Sequence, residues 1–164
     1  MEGLYSYTDM VDNPEQLDDT CWHRGLQPDT IDDIRASISE PGKLSYMQLH
    51  PLRAPTLKRK IAQLHEAGVV FMVGTDSGVP MNFHCDSTWR EMDGMVNIFG
   101  LSPMAVIRAA TYWPAVMMGV DDELGSISVG KKADIIAVRG DVLKHINLLQ
   151  NVHMVMKGGV IYRQ

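Results

Sequence analysis

The chain has 164 residues, 45% hydrophobic and 21% charged, which fits one ordinary soluble domain able to bury a real core. Twenty acidic residues against fifteen basic ones give a formal charge of -5, and the one compact basic run, Lys58-Arg59-Lys60, has no interleaved aromatics, so neither nucleic acid nor an anionic membrane is an expected partner. Cys21 and Cys85 lack Cys-x-x-Cys spacing and occur beside twelve methionines, the pattern of a reduced cytoplasmic protein that folds without disulfides, although a bond between the two stays open.

In chain order, the N-terminal residues offer no basic region followed by an apolar run, and no later window approaches eighteen apolar residues; neither a signal peptide nor a membrane span is expected. The first fifty-odd residues are rich in Asp, Pro and Ser and read as loops and short helices. From Thr56, which can cap, Leu57, Ile61 and Leu64 recur at helical spacing until Gly68, which suits a left-handed stop. Val69 to Val73 then form a continuous apolar run rich in branched residues, as in a strand buried on both faces. A helix leading into such a strand suggests a parallel sheet.

Beyond a loop, Thr88 and Glu91 have capping-box spacing, and Trp89, Met92, Val96 and Phe99 form one apolar stripe ending at Gly100. Ser102-Pro103 starts the next helix, with Met104, Ile107 and Ala110 as its apolar face until Pro114 interrupts, and a short helix follows. From Asp121 the segments shorten between glycines. The run "ADIIAV", Ala133 to Val138, is strand-like, and residues 153 to 162 read as two strands joined by Lys157-Gly158-Gly159. A boundary near residue 120 thus separates a helix-and-parallel-strand region, 1–120, from a β-rich region, 121–164.

The chemistry centres on "FMVGTDSGVP", residues 71 to 80, where Asp76 stands between glycines just past the apolar run. In α/β folds the C-terminal end of a parallel strand faces the ligand crevice. A carboxylate there can bind a divalent metal and take a proton from a metal-bound water. Two other readings stay open: an Asp that hydrogen-bonds its own turn, and the Asp-Ser-Gly signature of a retropepsin-like aspartic protease, which the flanking helices disfavour. A Ser77 nucleophile lacks the Gly-x-Ser-x-Gly elbow.

Six histidines are present, at 23, 50, 65, 84, 145 and 153, and none forms His-x-His or His-Glu-x-x-His. His65 reads as a helix-surface residue and His153 as the solvent-facing residue of a strand. Cys21-Trp22-His23 is too sparse for a metal site. His84 differs, because its loop follows Asp76 by eight residues and overhangs the same crevice. Met92, Met95, Met104, Met117 and Met118 read as core fillers, and Arg139-Gly140-Asp141 as a chance likeness to an adhesion tripeptide.

Three segments in order, "HEAGVVFMVGTDSG", "SPMAVIRAATYWPAVMMGV" and "LGSISVGKKADIIAVRGDVLKHINLLQNVHMVMKGGVIY", resemble the C-terminal part of the amidohydrolase superfamily, near its prolidase-like and imidazolonepropionase-like members. The likeness covers about residues 56 to 164. It implies an α/β fold: the C-terminal part of a metal-dependent hydrolase (β/α)8 (TIM) barrel with closing helices, then strands of a small β-sandwich. It further implies that Asp76 ends the eighth barrel strand, binds a divalent metal, most often zinc, and acts as general base. His84 would touch substrate, and Arg90 and Glu91 match a pair that opens the next helix. The implied substrate is a small molecule or dipeptide-like compound cleaved at an amide C–N bond.

The departures are equally specific. The family's His-x-His after the first strand, its Lys or acidic ligand near the fourth and its histidines after the fifth and sixth have no counterpart here. A barrel of this type needs about 200 residues or more, so the chain resembles the last third of such an enzyme, without activity of its own. Uncovered strand edges would favour a homo-oligomer or domain-swapped dimer. The alternative from another class is a non-catalytic assembly module whose partner subunit carries the histidines.

Overall fold

The computed structural model describes residues 13–18, 20–40, 50–78 and 82–164. These divide into two compact units: the described residues up to Lys60 with Gly74–Thr88, and Ile61–Val73 with Trp89–Gln164.

The first unit opens with two single 3-10 turns, Pro14–Asp18 and Thr20–His23, and helix α1, Pro28–Ser39. Pro28 supplies a preset φ at the first helical position, where its missing N–H would have no partner anyway. Leu17, Trp22 and Ile38 are buried, and the Trp22 indole N–H donates to the Leu17 carbonyl at 3.3 Å. Helix α2 runs from His50 to Glu66, earlier than the sequence suggests. Pro55 sits inside it, and Thr56 is no cap, its hydroxyl donating to the Arg53 carbonyl at 3.1 Å. Its end is as expected: Gly68 has φ 78°, its N–H donates to the His65 carbonyl, and the Val69 N–H donates to the Leu64 carbonyl, the pair of hydrogen bonds that satisfies orphan carbonyls at a left-handed residue.

Residues 69–73 depart from expectation. They belong to no strand, and Val69 and Val70 are nearly half exposed. The physical reason is the absence, among the described residues, of a neighbouring strand to take their backbone groups. One bond, from the Val73 N–H to the Ala109 carbonyl at 2.9 Å, ties the segment to the second unit's core. Phe71 and Val73 pack against that core, which gathers Met92, Met95, Leu101, Val106, Ala109 and Ile146.

Helix α3 spans Ser87–Asn97, α4 Pro103–Ala110 and α5 Tyr112–Met118. Because α3 begins at Ser87, Thr88 lies within it and does not cap it, while the stripe from Trp89 to Phe99 is inward as expected. The Ser102 hydroxyl caps α4, accepting from the Ala105 N–H at 3.3 Å. Its most buried residues are Val106 and Ala109, and Met104 is half exposed. Met117 and Met118 are exposed as well, so only Met92 and Met95 of the five methionines fill the core. α5 closes on left-handed Gly119.

The residues after α5 carry a 3-10 turn, Ile146–Gln150, and a three-stranded antiparallel sheet in the order β1, Ile135–Val138; β2, Val152–Lys157; β3, Val160–Arg163. The β2–β3 turn is Gly158-Gly159, both with positive φ, as a tight primed turn requires. The Asp134 carboxylate accepts from the Gly158 N–H at 2.7 Å. The Lys131 ammonium donates to the Leu124 carbonyl and the Ser126 hydroxyl, so the Gly-Lys-Lys-Ala-Asp run holds its own loops together. Lys132 pairs with Glu123, and hydrogen bonding to that ammonium holds the Glu123 carboxyl below its ordinary range. No helix among the described residues is long and apolar enough to cross a membrane.

Candidate active site

Asp76 lies in the irregular turn at the start of the first unit's second segment. It is the one non-glycine among the described residues with positive φ, 53°, a left-handed conformation that Asp tolerates better than most residues. The neighbours hold that conformation. The Thr75 and Ser77 hydroxyls lie 2.8 Å apart, and the Ser77 hydroxyl lies 2.6 Å from that of fully buried Ser87. Buried Asn82 donates from its side-chain amide to the Thr75 carbonyl, and its backbone carbonyl accepts from the Gly78 N–H at 3.1 Å. Gly78, at φ 108°, completes the turn.

The Asp76 side chain is exposed and makes no hydrogen bond or ion pair among the described residues. An Asp that merely stabilised its own turn would spend its carboxylate on nearby N–H groups. Here hydroxyls and an amide perform that task. The carboxylate remains available to a ligand, in a backbone conformation of the kind that clusters at functional sites.

His84 is exposed in the turn that precedes α3. With Phe83, Cys85 and Asn82 it lines a cavity of about 550 Å³, whose opposite wall comes from Cys21, Trp22 and residues of α1. Phe83 stacks on Trp22 at 5.0 Å, and the Arg35 guanidinium lies 5.7 Å from the centre of the Trp22 ring. Asp76 is not part of this lining, so the two sequence candidates share a unit but not this cavity. Glu91 is buried and Arg90 is partly buried, its guanidinium over the Trp89 ring at 5.4 Å.

Against the expectation of a fold without disulfides, Cys21 and Cys85 are bonded, their Cα atoms 6.1 Å apart. Sequence spacing is silent on such a pair because 64 residues separate them. His23 packs edge-on to Trp22 at 4.0 Å. His65 and His153 are exposed, as expected, and His153 meets Arg139 at 3.1 Å. The His50 side chain lies outside the described residues. Sequence pattern marks Ser77 only as a weak nucleophile candidate, and Thr75, Asn82 and Ser87 not at all. The hydroxyl cluster around Asp76 was the available signal for Thr75 and Ser77, and nothing local marks Asn82.

A catalytic zinc takes three or more protein ligands. Among the described residues no group of three His, Cys, Asp or Glu side chains could hold a metal ion. These residues therefore do not fit a complete metal centre, and Asp76 is at most one donor to it.

Residues 43–162 match the sequence model of the Amidohydrolase family. A 44-residue stretch is 43% identical to N-acetylgalactosamine-6-phosphate deacetylase of Escherichia coli O157:H7, covering 27% of this chain and 12% of that enzyme. Among solved structures, the chain is similar to a Xaa-Pro dipeptidase with methionine bound in its active site. That likeness has a TM-score of 0.60 and 28% identity, over 94% of this chain and 34% of the other. It is also similar to A. niger ochratoxinase, with a TM-score of 0.58 and 26% identity over 76% of this chain and 28% of that one. The chain thus spans about a third of the length of the similar solved structures. These structures have the α/β fold of amidohydrolase barrels.

Proposed function

The chain belongs to the amidohydrolase family, and we propose that it supplies the Asp76 carboxylate and the His84 loop of a hydrolase acting on an amide or peptide-like C–N bond. The observation that carries this reading is the Asp76 turn: a carboxylate left exposed while Thr75, Ser77, Asn82 and Ser87 fix its backbone. In this role Asp76 accepts the proton of the attacking water and returns it to the leaving nitrogen. His84 meets the substrate near its reacting carbonyl. Similarity to a dipeptidase and to a deacetylase supports a small-molecule or dipeptide-like substrate. In this assignment residues 1–120 belong to the last strands and helices of a (β/α)8 barrel and 121–164 to strands of a small β-sandwich.

Zinc is the proposed metal, with Asp76 as one ligand. The remaining donors have no counterpart among the described residues, and no step is assigned to the metal. The pure chain is accordingly expected to bind zinc weakly and to turn over neither dipeptides nor N-acyl amino acids. Calorimetry with zinc and a hydrolysis assay check this, and stoichiometric zinc with turnover by the chain alone would refute it. Adding a polypeptide that bears the family's His-x-His is expected to produce hydrolysis that Asp76→Asn abolishes; hydrolysis that survives the substitution removes Asp76 from the role. The same lack of converging ligands favours a second reading, an assembly module without catalysis, for which the mixture binds but hydrolyses nothing.

A further inference from the structure

We propose that Cys85 is a site of reversible thiol exchange, at which a low-molecular-weight thiol opens the Cys21–Cys85 bond and loosens the loop that carries His84. This concerns the regulation of the site assigned above and rests on that reading for its functional meaning, though not for its chemistry.

Three observations converge on it. Cys85 is solvent-exposed and Cys21 only partly covered, so a thiolate can reach the bond, and exposed disulfides are the labile ones. Both cysteines line the cavity, and Cys85 follows His84 directly. The bond and the Trp22–Phe83 stack together join the Thr20–His23 turn to residues 82–86. Opening the bond leaves the aromatic stack to do the joining. Residues beyond the loop keep an anchor outside it, since the Ser87 hydroxyl bonds that of Ser77.

The chemistry balances with glutathione as reductant. Its thiolate attacks the Cys85 sulfur, forming a mixed disulfide there and expelling the Cys21 thiolate, which takes up a proton. A second glutathione thiolate attacks the glutathione sulfur of the mixed disulfide and expels the Cys85 thiolate, which is protonated in turn. Overall two glutathiones are oxidised to one glutathione disulfide and one protein disulfide is reduced to two thiols.

The test is hydrogen exchange on the full chain equilibrated with glutathione disulfide, then with excess glutathione, then returned to the disulfide, with alkylation and mass measurement reading the thiols in each state. Expected are a bonded pair in the first state, two alkylated cysteines in the second, and a tenfold or greater rise in exchange across residues 82–86 that reverses on return. Exchange at Met95 and Val106, in the second unit's core, is expected to hold constant. Free thiols in the oxidising buffer, or identical exchange across 82–86 in both states, would overturn the proposal, as would equal loss of protection at Met95 and Val106. The Cys21→Ser/Cys85→Ser variant should show the reduced pattern in either buffer. Asp76→Asn should retain the redox-dependent exchange, so a failed hydrolytic assignment is distinguishable from a failed exchange site.

Discussion

Substitution of Asp76 separates its backbone role from its chemical one. The side chain is exposed and unbonded among the described residues, so a replacement alters little beyond the energy of holding φ at 53°. A left-handed conformation costs a residue with a Cβ about 1–2 kcal/mol, and Asp and Asn sit at the low end. Asp76→Asn should therefore be neutral within about 0.5 kcal/mol. Asp76→Gly removes roughly 1 kcal/mol of strain but adds roughly 0.5–1 kcal/mol of unfolded-chain freedom, for a net change between zero and slight stabilisation. Asp76→Val puts a β-branched residue in that conformation and should lose about 1–2 kcal/mol. The Gly-to-Val span of about 2 kcal/mol corresponds to about 1 M in urea midpoint at an m-value near 2 kcal/mol/M. Urea unfolding followed by circular dichroism reads it. Equal midpoints for Gly and Val, or a Gly variant well below wild type, would refute the claim that hydroxyl and amide partners hold a strained turn. A stable Asn variant that abolishes hydrolysis in the reconstituted mixture would place the carboxylate in the chemistry.

Gly125→Ala should lower stability by roughly 2–3 kcal/mol, read as a thermal shift of about 5–10 °C for the cooperative unit. Its Cβ would stand 2.7 Å from the Ala115 Cβ and 3.0 Å from the Thr111 carbonyl, at φ 83°; an unshifted melting temperature contradicts the geometry. Ser102→Ala removes the α4 cap and should lose about 1 kcal/mol, with Ser102→Asp, which also caps, recovering most of it in the same melt. Among the described residues β3 pairs with β2 alone and exposes Val160, Ile161 and Tyr162, so the chain should form a dimer or larger assembly through that edge. Light scattering at micromolar concentration checks this, and a clean monomer refutes it.

What the sequence made legible was local. Ser102-Pro103, Gly68 and Gly158-Gly159 each encode a backbone event within a few residues, and each stands where its chemistry requires. Pro55 obscured the first turn of α2, because a proline ordinarily marks a boundary and here lies inside the helix. The run from Val69 to Val73 has a strand's composition without a strand's pairing: composition reports what faces would bury, while pairing needs a second segment. The Cys21–Cys85 bond is equally non-local.

The same distinction bears on the site. Asp76 could be found because glycines and an apolar run surround it in the chain, but what leaves its carboxylate exposed is a set of contacts reaching forward to Asn82 and Ser87. The proposed role draws its support from those contacts, since Thr75, Ser77 and Asn82 hold the turn without the aspartate's oxygens. Serine or glycine would suffice at position 76 for folding alone, and glycine would avoid the strain. On the proposed reading, a charged residue in a left-handed turn that it does not stabilise serves a ligand rather than the fold.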